Sequence, residues 1–198
     1  MTRMRRRRAA PWSRALVAET SLSPSNLIWA IVLRDGEDIE EPVASMPGVH
    51  RLSVDRAVEA AKEARALGVP ALALFPYTGG EDRNETASKA FDSENLMCRA
   101  ARAIKDAEPD IGLMADVALD PYTDHGHDGL MRDGEILNDE TIDALVRQAI
   151  VEASAGFDIV APSDMMDGRI GAIRRGLDAE NLQRVQIISY AAKYASVF

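Results

Sequence analysis

The sequence predicts an α/β fold built on a parallel sheet, and three observations carry that prediction. Strand-like runs alternate with amphipathic helices along most of the chain, the pattern of a sheet with helical crossovers. The strand runs are continuously apolar, as strands covered on both faces are. No linker or shift in composition divides the 198 residues, a length that suits one well-buried domain.

Taken in order, Leu16 to Glu19 is expected to carry a short helix that Leu22-Ser23-Pro24 ends, because a residue before proline avoids helical angles. Leu27 to Leu33 (LIWAIVL) is the first buried strand. Arg34 to Pro42 reads as an acidic loop, and Ser45 to Val49 (SMPGV) as a turn. Ser53 or Asp55 is placed to cap a helix reaching Leu67, with Val54, Ala57, Ala60, Ala61 and Ala64 on one face and Gly68 at its C-cap. Ala71 to Pro76 is the second strand. Tyr77 to Phe91 follows as a long polar loop, of the length usual for lids and disordered segments. A helix from Glu94 to Ala107 buries Leu96, Met97, Ala100, Ala101 and Ile104, and Pro109 stops it. Its Cys98 is expected to be a passive small residue, since no polar activator is patterned beside it.

Ile111 to Leu119 is the third strand, and Asn138 or Asp139 caps the next helix. Its stripe of Ile142, Leu145, Val146, Ala149, Ile150 and Ala153 closes at Gly156. Phe157 to Ala161 is the fourth strand, Met166 to Arg174 a helix, and Val185 to Tyr190 the fifth strand. About five strands and four helices amount to a partial TIM (β/α)8 barrel, roughly five-eighths of the usual ~250-residue unit. The expected division is a basic N-terminal arm over 1–26 and an incomplete barrel over 27–198.

Composition narrows the function classes. A content of 46% hydrophobic residues is that of a soluble globular protein, and no apolar run approaches the ~20 residues of a membrane span. Cys98 is the only cysteine, which excludes an internal disulfide and a multi-cysteine zinc site and fits a reducing cytoplasm. The formal charge is −9, yet Arg3, Arg5, Arg6, Arg7 and Arg8 cluster at the start. Such an arm can bind nucleic acid or pack on an acidic neighbouring subunit. A targeting peptide would need an apolar run after the arginines, which Ala9 to Arg14 does not supply. With no RNA-binding or helix-turn-helix pattern downstream, the subunit-packing arm is preferred, and neither nucleic acid nor membrane is expected as a partner.

Chemistry concentrates in IGLMADVALDPYTDHGHDG, Ile111 to Gly129. One ionisable residue, Asp116, interrupts the apolar strand, and a loop with Asp120, Tyr122, Asp124, His125, His127 and Asp128 follows its end. Acids and imidazoles at a strand C-terminus are how α/β enzymes build sites. The other strand tips add Ser163 with Asp164, and then Lys193 among small neighbours. In an apolar mouth a lysine loses part of its preference for the charged form, and a neutral amine can attack a ketone to give a Schiff base. Spacing alone leaves this reading level with a solvated lysine opening another helix. His125, His127, Asp120, Asp124 and Asp128 suit either a divalent ion or a mobile polar lid. Gly126 and Gly129 favour the lid, formed by Tyr122, His125 and His127.

Four segments carry a resemblance: SMPGV (Ser45 to Val49), DVALDPYTDHGHDG (Asp116 to Gly129), VAPSDMMDGR (Val160 to Arg169) and SYAAKYAS (Ser189 to Ser196). In this order and spacing they resemble the porphobilinogen synthase (5-aminolevulinate dehydratase) family across nearly the whole chain. The resemblance implies a barrel lyase of tetrapyrrole and heme biosynthesis that joins two 5-aminolevulinate molecules with loss of two waters through two Schiff-base lysines. Lys193 matches the first lysine, and Asp116 and Ser163 match residues of the substrate pocket.

Zinc-dependent members carry cysteines where Ala118, Asp120 and Asp128 stand, so no zinc is expected. The resemblance is to the branch using Mg2+ or a monovalent cation, with Asp120 and Asp128 as weak candidate ligands. It also implies a homo-oligomer, an octamer in the family, assembled through the arm. The family's second lysine, substrate-side arginines and allosteric magnesium carboxylate have no match. Ala30 and Asp92-Ser93 also depart from its usual proline and Asn-Pro. The chain alone is therefore expected to be inactive and poorly soluble, with open sheet edges at its first and fifth strands. Two alternatives are a dead subunit or fragment assembling with full-length partners, and a one-lysine Schiff-base aldolase.

Overall fold

The computed structural model describes residues 4–191. A short α1 (Pro11–Leu16) opens it, then β1 (Ile28–Arg34), β2 (Glu40–Pro42), β3 (His50–Leu52), α2 (Val54–Ala66), β4 (Ala71–Tyr77) and α3 (Leu96–Ala107). The second half runs β5 (Gly112–Val117), β6 (Met131–Arg132), β7 (Glu135–Ile136), α4 (Asn138–Ala155), β8 (Ile159–Pro162), α5 (Arg169–Ala179) and β9 (Gln186–Ile187). The main sheet has the order β2-β3-β1-β4-β5-β8-β9, and every pairing in it except β2 with β3 is parallel. The run from β1 through β4, β5 and β8 to β9, with α2 to α5 between, is the expected five-strand, four-helix part of a (β/α)8 barrel.

The two faces of this sheet differ. On one, Ile31, Leu33, Leu72, Leu74, Leu113 and Ala115 pack against the alanine face of α2 and against Met97, Ala101 and Ile104 of α3. Val117 and Val160 continue that face into a second cluster with Leu145 and Ala149 of α4 and Ile173 and Leu177 of α5. Side chains alternate across a strand, so the intervening residues must emerge on the other face. There, among the described residues, Ala73, Met114 and Ala161 form a small buried cluster, with Phe75, Ile159 and Tyr190 against it. Ala30 and Ile28 stand exposed.

Several local expectations are corrected. The first helix lies earlier than Leu16–Glu19, because Pro11 supplies the preset first helical turn. No residue of this helix is buried. The acidic loop after β1 contains β2, and β3 follows the SMPGV turn. Together they occupy part of the edge expected to be open, with β3 pairing Val32 and Leu33 of β1. Ser53 does precede α2, but its hydroxyl accepts from the Ile39 N–H at 2.9 Å instead of capping the helix. Asp55 likewise accepts from the Asp38 N–H.

The segment 77–91 is not structureless. It holds two 3-10 turns, Gly80–Asp82 and Ser88–Phe91, and buries Ala87 and Ala90. Asn95 caps α3 by accepting from the Cys98 N–H at 2.9 Å. The hairpin β6–β7 was not expected; Asp133 and Gly134, both at positive φ, turn it. Helix α5 starts at Arg169, past the left-handed Gly168. Among the described residues, no helix is long and apolar enough to cross a membrane.

Cys98 is buried in the helix-side core, and burial pushes its thiol up to about 12, consistent with a passive residue. Glu152 of α4 is itself fully buried. The Gln148 amide donates to its Oε1 at 3.0 Å, and its Oε2 has no hydrogen-bond partner among the described residues. Burial, and then the charge of Asp116, raise its carboxyl well above the ordinary 4.5, overcoming the Gln148 bond. Glu152 is therefore held as the neutral acid.

A raised folded-state pKa stabilises the fold fully below the unfolded value and loses that contribution as pH rises toward the folded one. Stability of the wild-type chain should fall from about pH 4.5 upward relative to Glu152→Gln, by up to about 1.4 kcal/mol per pH unit. Urea unfolding of both chains at pH 5 and pH 8 measures this; curves that stay parallel would contradict a buried neutral acid.

Candidate active site

Strand β5 sets the site. Leu113, Ala115 and Val117 pack toward the helices, so Asp116 emerges on the opposite face at the strand's C-terminal tip. Asp116 lies opposite Ala161 and Val117 opposite Pro162, which brings Ser163 to the adjacent tip on the same face. By the same alternation Phe75 follows Ala73 on β4, and Tyr190 follows Ile188 just past β9. Asp116, Ser163, Phe75 and Tyr190 line one cavity of about 520 Å³, with Asp120, Gly126, His127 and Asp128 along its rim.

Two lining residues, Phe75 and Tyr190, were not among the candidates. The signal that could have found them is the period of two: each lies on the parity of Asp116, Phe75 near the end of β4 and Tyr190 just past β9. Tyr190 is half-buried, and burial together with the charge of Asp116 raises its phenol above 10.0, so it stands there as a neutral hydroxyl. Lys193 lies outside the described residues. Asp164, expected at the mouth, has the parity of Val160 and Pro162. It turns away from the cavity to pair with Arg169.

The loop after β5 departs from a free lid. His125 and His127 are exposed, as a lid requires, but Tyr122 is 1% exposed and belongs to the core beneath. The Tyr122 N–H donates to the Leu119 carbonyl at 2.8 Å, the Asn84 N–H to the Tyr122 carbonyl at 3.0 Å, and the Thr78 hydroxyl to the Pro121 carbonyl. Tyr122 anchors the loop, and the segment 77–91 braces it. Farther along, Thr123 donates to the His127 carbonyl at 2.9 Å, and the His127 N–H to His125 Nδ1 at 3.0 Å.

Asp120 and Asp128 both reach the cavity, but Asp128 Oδ1 accepts the Leu119 N–H at 3.1 Å. Among the described residues no three His, Cys, Asp or Glu side chains converge to hold a metal ion. Carboxylates are the donor type that magnesium takes, but it takes six oxygens. Magnesium commonly takes one or two carboxylates and completes its shell with water, so Asp120 and Asp128 at the cavity are the residues that could hold such an ion.

Five parallel strands with crossover helices, and acid, hydroxyl and phenol near neighbouring strand ends, place this chain in the class of (β/α)8-barrel proteins, its cavity at the face where such folds carry chemistry. The family model described as delta-aminolevulinic acid dehydratase matches residues 1–198, and the chain belongs to that family. It is 58% identical over 196 residues to the delta-aminolevulinic acid dehydratase of Bradyrhizobium diazoefficiens, covering 99% of this chain and 56% of that protein. To the chloroplastic enzyme 1 of Arabidopsis thaliana it is 48% identical, covering 99% of this chain and 46% of that one.

The crystal structure of delta-aminolevulinic acid dehydratase (porphobilinogen synthase) from Toxoplasma gondii ME49, in complex with the reaction product porphobilinogen, superposes with a TM-score of 0.95 at 44% identity. The match covers 100% of this chain and 56% of that one. The chain thus spans about half the length of the curated relatives it matches.

The Tyr122 hydroxyl is buried with no hydrogen-bond partner among the described residues, and burial raises it well above 10.0. Tyr122→Phe removes a desolvated polar group without changing the ring packing. It should leave stability unchanged or raise it by about 1 kcal/mol in urea unfolding. A loss of more than about 1 kcal/mol would show that the hydroxyl holds the loop.

Proposed function

We propose that this chain carries the 5-aminolevulinate-binding cavity of a porphobilinogen synthase. The observation that carries the reading is the convergence of Asp116 and Ser163 from hydrogen-bonded neighbouring strands on one cavity, in a chain of this family. The Asp116 carboxylate accepts from the substrate ammonium, and the Ser163 hydroxyl hydrogen-bonds its polar chain. Lys193 follows Tyr190 by three positions in sequence, and its amine adds to the substrate ketone. The carbinolamine then takes up a proton from solvent and loses water, leaving a protonated imine between Lys193 and the former carbonyl carbon. His125 and His127 on the exposed loop close over the bound molecule. The ring of Phe75 and the braced segment 77–91 limit water at the mouth.

Porphobilinogen joins two substrates, and a single amine anchors one of them, so this chain alone binds and condenses with one 5-aminolevulinate without turnover. The arginine arm (1–26), whose helix buries none of its residues, packs on a neighbouring subunit in a homo-oligomer. The compartment is cytoplasmic, and a Mg2+ or monovalent ion at Asp120 and Asp128 belongs to the assembled enzyme. Spanning about half of its relatives' length also favours a second reading, a subunit without activity that joins full-length partners.

Borohydride reduction with 5-aminolevulinate should add one substrate, less the carbonyl oxygen, to the Lys193 peptide. The adduct should vanish in Lys193→Met and fall about tenfold or more in Asp116→Asn, with no porphobilinogen formed by the wild-type chain. Absence of any adduct on Lys193 in the folded chain would refute the binding role. Measurable porphobilinogen would refute the dependence on a second lysine.

A further inference from the structure

The segment between β8 and α5, Ser163 to Gly168, has no regular structure, yet Ser163 at its head must be held facing the cavity. Met166 seats the segment in the second core cluster, while Met165 is 83% exposed and Asp167 is exposed. Polar contacts on both sides of Met166 add to that seat. Asp164, with a side chain 0% exposed, accepts the Met166 N–H on Oδ1 at 2.7 Å, and its Oδ2 lies 3.1 Å from Arg169 Nε as an ion pair without a hydrogen bond. Arg169 returns from its Nη1 to the Met166 carbonyl at 3.1 Å. One guanidinium and one carboxylate thus bracket both backbone groups of Met166. A second clamp ties the far end of the segment to α4, where the Asp167 N–H donates to Asn138 Oδ1 at 2.8 Å.

A buried ion pair contributes little net stability over an apolar pair of the same size, because both charges lose their water. The hydrogen bonds its two members make to the Met166 N–H and carbonyl, however, specify where the backbone lies. We infer that the Asp164–Arg169 pair is a positioning device that fixes the Ser163–Gly168 segment and thereby aims the Ser163 hydroxyl into the cavity beside Asp116. Arg169 is the first residue of α5, so the pair couples the start of that helix to the tip of β8, and the aim of Ser163 follows the seating of α5. Neither Asp164 nor Arg169 touches the substrate. Both act through Ser163, and this functional half rests on the porphobilinogen synthase reading.

The test uses the full chain in two measurements. Asp164→Asn alone leaves Arg169 buried without a counter-charge, so the working variant is Asp164→Asn/Arg169→Gln, which removes both charges and keeps polar side chains. In the ligand-free protein, amide hydrogen exchange across 163–168 should quicken about tenfold in the double variant, with β4 and β5 unchanged. Unchanged exchange in that segment would overturn the inference whatever the chain binds.

Borohydride trapping of 5-aminolevulinate should need about tenfold more substrate in the double variant. Adding Ser163→Ala to it should cost nothing beyond what Ser163→Ala costs alone. Effects that multiply would show that the pair acts elsewhere, as a merely structural role would. If the wild-type chain traps nothing, the proposed function fails and the exchange result still decides the clamp.

Discussion

The pleat of the central parallel strands is the constraint on which the site depends. Leu113, Ala115 and Val117 are committed to the helices, and that commitment alone places Asp116 on the opposite face, since successive side chains cannot share one. A slip of one residue in β5 would put a carboxylate into the core around α3 and α4 and expose three apolar side chains. The apolar packing of one face thus holds the register of the other. The parallel pairing of β5 with β8 passes that register to Ser163, and the pairing of β8 with β9 passes it to Tyr190.

The same constraint explains why Ser163 and Asp164, neighbours in sequence, serve different ends. Ser163 keeps the cavity parity, while Asp164 turns to the helix side and finds the Arg169 guanidinium at the start of α5. Burial raises its carboxyl above the ordinary 3.8, and the Met166 N–H and the Arg169 charge oppose that rise. Glu152 has no cation to oppose burial and is kept neutral instead. Polar groups at the cavity and behind it are thus sorted by what each strand or helix face offers them.

The helix-free face is the incomplete part of the architecture. Its buried cluster is three residues, Ala73, Met114 and Ala161, while Ala30, Ile28 and Ile188 stand exposed around it. In a closed barrel such residues would fill the interior in layers. The chain spans about half of its relatives' length, and what it carries is the part in which Asp116 and Ser163 meet.

Much of this was legible in the sequence because it depends on local periodicity. Apolar runs marked the five parallel strands, the alanine and leucine stripes marked α2 to α4, and the break in apolarity at Asp116 marked the site. The DG pair at Asp133-Gly134 carried a hairpin signal that passed unread. Parity along β4 and β9 held Phe75 and Tyr190 in the same way. Strands as short as β2 and β3 could not be read, because three residues make no period and pairing with β1 alone defines them.

The direction of Asp164, the burial of Tyr122 and the bracing of the site loop by Thr78 and Asn84 were decided only by the tertiary structure. Each depends on a partner far along the chain or on a neighbouring element whose position no local pattern encodes. By itself the sequence determined which residues lie inside and in what order strands and helices follow, because burial and backbone period are properties of short segments. Which polar groups meet was left to the packing, because a hydrogen bond needs two groups placed within about 3 Å of each other.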